Sequence, residues 1–150
     1  MRAVIQRVSE SSVKIDGEVV GRINMGYMIL LGIEHEDTEE DIEWLVQKIY
    51  KLRVFSDDDG KMNLSIADVV GSFLVISQFT LHASTKKGNR PSYIKAARPE
   101  HAIPLYEKFK SRLREISGLN VEDGEFGGDM KVSLINDGPV TIIIDTKLKE

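Results

Sequence analysis

The chain has 150 residues, 41% hydrophobic and 29% charged, a composition typical of one soluble globular domain over residues 1–150. The absence of cysteine excludes disulfides, thiolate nucleophiles and cysteine-based metal sites. The first residues lack the apolar core of a signal peptide, and the longest apolar run, Met25–Ile33, falls short of the ~20 residues that cross a bilayer. We therefore expect a cytoplasmic protein without membrane contact.

The charge is unevenly distributed along the chain. A net charge of −4 argues against coating nucleic acid by bulk attraction. Between Asp68 and Glu100, however, there is no acidic residue, and five basic residues lie in that stretch: Lys86, Lys87, Arg90, Lys95 and Arg98. The stretch is either a solvated loop whose counter-charges come from elsewhere in the fold or a local anion-binding surface. Charge alone favours the solvated loop, because a sequence does not locate the surface potential.

The first half of the chain predicts a hairpin, a buried strand and a helix. "AVIQRV" and "SVKIDGEVVGRI" alternate with period two, and Asp16–Gly17 is a tight-turn signal. The apolar run Tyr27–Ile33 has the length of a strand buried on both faces. "TEEDIEWLVQKIYKLRVF" predicts a helix that Thr38 caps, with one apolar stripe: Ile42, Leu45, Val46, Ile49 and Leu52. The following turn, "SDDDGKMNLS", lacks the ligand pattern of a calcium loop.

The second half predicts a strand, a helix and three further strands. The strand Ser72–Leu81 leads into a loop rich in lysine and glycine, "HASTKKGNRPS". A helix is predicted from Pro104, in its first turn, to Ser117, with Gly118 as its stop and an apolar inner face: Leu105, Phe109, Leu113 and Ile116. The strands "LNVEDGEF", "MKVSLIN" and "VTIIID" follow, separated by glycine-rich turns. The pattern indicates an α/β single domain with a mixed, largely antiparallel sheet and two main helices.

Most catalytic signatures are missing from the sequence. There is no G-x-S-x-G elbow, P-loop or dinucleotide fingerprint. The histidines, His35, His82 and His101, lack the spacing of metal ligands, and each is expected to be a surface or loop residue. His82 stands out among them because it directly follows the segment "SQFTL".

Two short segments are chemically unusual. In "SQFTL", the polar residues Ser77, Gln78 and Thr80 interrupt an apolar strand, either because one strand edge faces solvent or because the strand end presents polar groups to a ligand. The sequence leaves these alternatives nearly even. In "NDGPVT", Gly138–Pro139 offers a rigid backbone that another molecule can approach closely, although locally the segment predicts a simple turn before a strand.

Together these segments identify a family. "SQFTL" (Ser77–Leu81), "KKGNRPSY" (Lys86–Tyr93) and "NDGPVT" (Asn136–Thr141) resemble the motifs of the D-aminoacyl-tRNA deacylase (DTD) family, and the opening "MRAVIQRVSESSVKIDGEVVGRI" is similar to the amino-terminal hairpin of that family. The resemblance runs from end to end and implies the DTD-like fold. Separated motifs in the right order are far more specific than any one of them alone.

The resemblance implies an enzyme that hydrolyses the ester of D-aminoacyl-tRNA, and of glycyl-tRNA mischarged on tRNA-Ala, while rejecting L-aminoacyl-tRNA. It implies a homodimer in which a cis Gly138–Pro139 peptide of one subunit completes the active site of the other. Asn136 would also contact the substrate, and Arg7 would brace the Gly–Pro segment. Because glycine has no side chain, a steric gate at Cα cannot reject it.

The resemblance places catalysis at Ser77, Gln78, Phe79 and Thr80. The backbone N–H groups near Phe79 and Thr80 are candidates for an oxyanion hole, with Ser77 and Gln78 positioning the ester and the terminal adenosine. Thr80 is an alternative nucleophile, but no base that would activate it is identifiable in the sequence.

The basic stretch then acquires a role: Lys86, Lys87 and Arg90 would bind phosphates near the tRNA acceptor end. No cofactor, metal, membrane or DNA partner is expected. The alternatives are a non-catalytic tRNA-binding domain of the same fold and a hydrolase of other D-amino-acid esters.

Overall fold

Strand β1 (Arg2–Ile15) organises a six-stranded sheet in the computed structural model, which describes residues 1–150. Its two halves pair antiparallel with β3 (Gly26–Gly32) and β2 (Glu18–Ile23). Strand β8 (Lys131–Asp145) pairs antiparallel with nearly the whole of β1. Because the same β1 residues pair with β8 and with β2 or β3, β8 must lie on the opposite edge of β1.

The sheet continues beyond β3 through two parallel pairings. Strand β6 (Ser72–Ser77) pairs with β3, and β7 (Val121–Asp123) pairs with β6. A separate small hairpin joins β4 (Phe55–Ser56) to β5 (Met62–Leu64). The mixed sheet confirms the predicted fold class, with antiparallel pairs around β1 and parallel pairs around β6.

Helices α1 (Glu39–Lys51) and α2 (Pro99–Ser117) pack on each other and cover one face of the sheet. Thr38 caps α1 in a capping box with Asp41, as predicted. The predicted apolar stripe of α1 lies in the main core, where Ile42, Leu45 and Val46 are fully buried. Neither helix combines the length and the apolar character needed to cross a membrane.

The predicted start of the second helix is wrong by five residues. The helix begins at Pro99, and Pro104 lies inside it. Pro99 occupies the first turn, where no N–H is needed, so both prolines carry the same helix-start signal in the sequence. Pro104 deprives only the Glu100 carbonyl of an intrahelical donor, and both residues lie on the exposed side, where water can substitute.

Two predicted strand boundaries are also wrong. Strand β6 ends at Ser77 instead of Leu81, and Phe79–His82 forms one turn of 3₁₀ helix, hereafter the Phe79 turn. The last two predicted strands are one strand, β8, which runs through the Gly138–Pro139 step. By contrast, the hairpin turn is confirmed at Asp16 and Gly17, which adopt the positive φ values of +50° and +79° that such turns require.

Candidate active site

The Phe79 turn stands at the carboxyl end of the parallel β3–β6 pair. Ser77 is paired with Leu31, and the Gln78 N–H donates to the Leu31 carbonyl at 2.8 Å, which is the last bond between these strands. The chain then turns sharply, so Phe79 and Thr80 supply the first N–H groups of a 3₁₀ helix. Such groups have no acceptor within their own helix. They are therefore available to an oxygen outside the chain.

Thr80 has one side-chain partner. The Gln78 amide Nε2 donates a short hydrogen bond to Thr80 Oγ1. A carboxamide has no basic site that could take the hydroxyl proton, so this contact orients Thr80 without activating it as a nucleophile.

An apolar cavity opens beside the Phe79 turn. Ser77 and Gln78 form its polar rim together with Phe79, whose side chain is 54% exposed. Its remaining lining is apolar and comes from four other parts of the chain: Leu31, Ile33, Ala97, Ala102 and Phe126. Its volume is about 40 Å³, well below the ~300 Å³ or more of ordinary ligand pockets, so it can take only a small apolar group.

The basic loop, residues 84–95, adjoins the Phe79 turn. Two backbone hydrogen bonds between Ser84 and Ser92, of 2.8 and 2.9 Å, close its base. Tyr93 packs edge-on against Phe79 with ring centroids 5.0 Å apart, which ties the loop to the turn. The loop encloses a groove of about 340 Å³ lined by Ser84, Lys86, Lys87, Arg90, Ser92, Ile94 and Lys95.

The cations of this groove are not neutralised within the chain. Lys86, Lys87 and Arg90 are exposed, and none of them forms a salt bridge. The groove thus presents positive charge to solvent without acidic side chains in direct contact.

The Gly–Pro segment forms an enlarged bulge in β8. Val8 pairs with Asn136 and Gln6 pairs with Thr141, so four residues of β8 lie opposite the single residue Arg7, three more than a regular ladder holds. We call residues 137–140 the Gly138 bulge. The Gly138–Pro139 peptide within it is cis, as the family resemblance implied.

Side chains of β1 and β8 hold the Gly138 bulge. Arg7 donates from Nε to the Asp137 carbonyl at 2.8 Å and from Nη1 to the Val54 carbonyl at 2.6 Å. The Asn136 carboxamide closes the bulge by accepting from the Val140 N–H at 3.0 Å. Gly138 and Pro139 themselves remain exposed.

Within one chain, the Gly138 bulge lies far from the Phe79 turn. Three strand spacings of roughly 4.8 Å separate β8 from β6. The two features are also offset along the strands. Arg7 is paired with Tyr27 of β3, whereas Ser77 is paired with Leu31, which lies four residues further along β3 at about 3.3 Å per residue. The two features are thus roughly 20 Å apart. The structure brings Ser77–Thr80 together with the basic loop but does not bring Gly138 to them.

One histidine prediction is wrong. His35 and His101 are exposed, as expected, but His82 is buried, with 3% of its surface exposed. Its Nδ1 lies 3.3 Å from Glu34 Oε2, and its Nε2 has no hydrogen-bond partner. The 3₁₀ helix points His82 inward, whereas the extended strand predicted for this segment places it at the start of a loop.

Sequence reasoning missed Tyr93 and the apolar lining of the cavity. Tyr93 was visible as the end of "KKGNRPSY", next to an otherwise basic loop. Ala97, Ala102 and Phe126 carry no local signal, because they converge only through the tertiary fold.

Two solved structures share the fold of this chain. A structure described as a probable eukaryotic D-amino acid tRNA deacylase superposes with a TM-score of 0.82 over 95% of this chain and 97% of its own, at 16% identity. A second solved structure, described as a c-Myc DNA unwinding element binding protein, is 42% identical with a TM-score of 0.91 and covers 97% of this chain and 98% of its own.

The sequence identifies the family. It matches the D-Tyr-tRNA(Tyr) deacylase family over residues 4–145. Proteins named D-aminoacyl-tRNA deacylase from Akkermansia muciniphila and Bacteroides fragilis are 62% and 64% identical over the full length of both chains. The chain belongs to this family of hydrolases acting on D-aminoacyl-tRNA, which confirms the resemblance predicted from the three motifs.

Proposed function

We propose that this protein hydrolyses the ester between a D-amino acid and the terminal ribose of tRNA at the Phe79 turn. The observation that carries the proposal is the pair of N–H groups of Phe79 and Thr80, which begin a 3₁₀ helix at the rim of an apolar cavity. Fixed donors of this kind stabilise the oxyanion that forms when water attacks an ester carbonyl.

Each motif residue takes a role in this reaction. Ser77 and Gln78, beside the cavity, position the ester and the terminal adenosine. The main chain of Phe79 and Thr80 then stabilises the developing charge, while Thr80 Oγ1 keeps the Gln78 amide in place.

The groove of the basic loop holds the acceptor end. Lys86, Lys87 and Arg90 line one open groove and have no acidic partner, so they can neutralise backbone phosphates. Such contacts supply affinity and register without reading bases. The Tyr93–Phe79 contact places this groove directly beside the site of ester cleavage.

Chirality is sensed by the Gly138 bulge of a second subunit. Main-chain atoms of Gly138 and Pro139 form a wall beside the substrate Cα that tolerates hydrogen but clashes with a side chain on that side. Within one chain the bulge is roughly 20 Å from the Phe79 turn, which supports a wall contributed by the partner. Arg7 and Asn136 keep the wall rigid.

An exposed apolar groove supports the homodimer. A groove of about 550 Å³ runs from Leu81 at the Phe79 turn across Val4 and Ile143 of the β1–β8 pair, and Ile143 is 68% exposed. A twofold contact over this face buries the apolar side chains and sets each Phe79 turn against the β8 strand of the other chain.

A wall that reads only the side chain at Cα cannot reject glycine. We therefore expect hydrolysis of glycyl-tRNA, including glycine mischarged on tRNA-Ala, in addition to D-aminoacyl-tRNA. The test follows deacylation of D-tyrosyl-, L-tyrosyl- and glycyl-tRNA without added metal. Cleavage of the first and third substrates but not the second supports the proposal, and equal cleavage of both tyrosyl enantiomers contradicts it.

The shared site has a separate test by complementation. Gln78→Ala impairs the turn and Gly138→Ala impairs the bulge, so each variant alone is expected to be inactive. If a site combines the turn of one chain with the bulge of the other, mixed dimers contain one intact site, and random pairing restores about a quarter of the wild-type activity. No recovery in a mixture shown to exchange subunits argues for a site within one chain.

Two binding functions are the alternatives. A non-catalytic tRNA-binding domain retains association with tRNA but leaves the ester intact. The description of the 42% identical structure as a DNA-binding protein raises duplex DNA as a second ligand for the basic groove. Competition between labelled tRNA and duplex DNA distinguishes a tRNA-binding groove from a DNA-binding groove. We expect the labelled tRNA to stay bound when duplex DNA is added.

A further inference from the structure

The Phe79 turn is too short to maintain its own conformation. A single turn of 3₁₀ helix has poor hydrogen-bond geometry and few internal bonds. The backbone bond from the Leu81 N–H to the Gln78 carbonyl is long, at 3.3 Å, and the bond from the Ala83 N–H to the Thr80 carbonyl is 3.1 Å. Contacts from outside the turn must therefore fix the directions of its N–H groups.

The first external contact is with Gly32 at the end of β3. A Cβ added to Gly32 would lie 3.0 Å from the Gln78 carbonyl oxygen, 3.0 Å from Leu81 Cβ and 3.1 Å from His82 Cδ2. All three atoms belong to the Phe79 turn or to its N-cap. The turn thus rests directly on the main chain of β3, and a side chain at residue 32 would push the turn away by a few tenths of an ångström.

The second contact comes from Arg2. Its Nη1 donates to the Leu81 carbonyl at 2.7 Å. Asp145 fixes the same guanidinium by accepting from Nε at 3.0 Å and lying 2.9 Å from Nη2. Because Asp145, Arg2 and Gly32 are paired across β8, β1 and β3, a continuous row of the sheet ends at the turn.

The third contact joins the buried His82 to the half-buried Glu34. The imidazole is 2% exposed, and its Nδ1 lies 3.3 Å from Glu34 Oε2. This contact ties the last residue of the turn to the segment that follows β3.

We propose that Gly32, Arg2 and Glu34 form a clamp that positions the Phe79 and Thr80 N–H groups for hydrolysis. They are positioning residues, since they contact Gln78, Leu81 and His82 atoms and not the substrate. A displacement of the turn by even a few tenths of an ångström misaligns the oxyanion donors, and misplacement by 1 Å can reduce rates about a hundredfold. The inference rests on the proposed site of hydrolysis.

Gly32→Ala is the main test. No unusual φ value burdens Gly32, so the substitution adds only the methyl group that presses on the turn. We expect kcat for D-tyrosyl-tRNA to fall at least about tenfold and KM to stay within about twofold, because the cations proposed to bind tRNA lie outside the turn. Gly71→Ala is the matched control: its Cβ meets Ile66 Cγ1 at 2.8 Å at the opposite end of β6, so it strains the fold without touching the turn.

A second readout does not depend on catalysis. In ¹H–¹⁵N spectra, Gly32→Ala should shift the amide signals of Phe79–His82 and accelerate their hydrogen exchange, whereas Gly71→Ala should leave them unchanged. If the unmodified protein fails to hydrolyse D-tyrosyl-tRNA, the proposed function falls, while the amide signals still decide whether the clamp exists.

Arg2→Met keeps the inference testable if Gly32→Ala does not fold. It removes the donor to the Leu81 carbonyl and should give the same fall in kcat. Gel filtration checks that the dimer content of the variant matches that of the wild type. Arg2→Lys should recover only part of the loss, because an ammonium group can donate to the Leu81 carbonyl but cannot reproduce the forked contact of the guanidinium. Wild-type kcat or undisturbed turn amides in folded Gly32→Ala or Arg2→Met would overturn the clamp.

Discussion

The Phe79 turn and the Gly138 bulge are both interruptions of β strands, but they interrupt them in opposite ways. At the Phe79 turn, β6 ends and the chain folds back onto Gly32 and Arg2 of the same sheet. At the Gly138 bulge, β8 continues, and four residues loop out opposite Arg7 before pairing resumes. Strand β8 pairs only with β1, so the bulge lies on an outer strand of the sheet.

This difference fits the proposed mechanism, in which one motif serves its own chain and the other a neighbour. The Phe79 turn is held on several sides by its own subunit and can present N–H groups at fixed positions. The bulge is braced at its base by Arg7 but leaves Gly138 and Pro139 exposed. A rigid, exposed corner on an outer strand is suited to contact a second molecule. Bulges are common at sheet edges and next to active sites.

Gly138→Ala is expected to have the largest effect. The added Cβ would lie 2.7 Å from Val140 Cγ2 and 3.1 Å from Arg7 Nη2, and φ at this position is +145°. The bulge must distort, so we expect deacylation of D-tyrosyl-tRNA to fall by about a hundredfold or more. Gly127→Ala, also at positive φ but with open space around it, controls for backbone strain. Equal losses in the two variants would remove the bulge from the active site.

Reversing two charges of the basic loop should have the next largest effect. For Lys86→Glu with Lys87→Glu, we expect tRNA affinity to fall roughly tenfold or more and the slope of log affinity against log salt to flatten by about one per lost phosphate contact. Lys14→Glu with Lys131→Glu makes the same change in net charge on a cross-strand pair at the far end of β1 and β8. If both double variants show the same tRNA affinity across a salt titration, the tRNA does not bind at the basic loop.

Thr80→Ala should have a smaller effect, because Thr80 Oγ1 contacts an amide and not a base. We expect less than about a tenfold loss in the single-turnover rate, through a looser Gln78. Thr80→Val, which keeps the shape of the side chain, should behave like Thr80→Ala. A loss of several orders of magnitude in both folded variants, with activity kept in Thr80→Ser, would instead establish a threonine nucleophile.

The sequence predicts the elements whose signals are local. The Thr38 cap, the apolar stripe of α1 and the Asp16–Gly17 turn are each written into a few adjacent residues. The family is also predictable, because its motifs are short and specific. By contrast, Pro99 and Pro104 give the same local signal, and only the packing of α2 decides between them.

The candidate site was harder to predict in geometry than in composition. "SQFTL" directly follows an apolar strand in the sequence, but in the structure it forms a 3₁₀ helix that contacts Gly32 and Arg2, both distant in sequence, and buries His82. "NDGPVT" has the composition of a turn, yet pairing of β8 with β1 on both sides of it makes it a bulge. In both segments, tertiary contacts override the local pattern.

The smallest expected effect concerns the anchor of the Phe79 turn at low pH. Burial alone would raise the pKa of Asp145, but hydrogen bonds from the Lys147 N–H and the Arg2 side chain outweigh it and lower that pKa. A carboxyl group whose pKa is lowered on folding stabilises the protein above its unfolded value of about 3.9, and this contribution is lost as the pH falls through the lower folded value. We therefore expect Asp145→Asn to reduce stability by roughly 1 kcal/mol at pH 7, and the difference from wild type to shrink below about pH 4. Thermal melts at both pH values measure this, with the exposed Asp129→Asn as a control. A stability difference that stays constant over that range would mean that Asp145 anchors Arg2 through shape alone. The negative charge of Asp145 would then not contribute to holding the Phe79 turn.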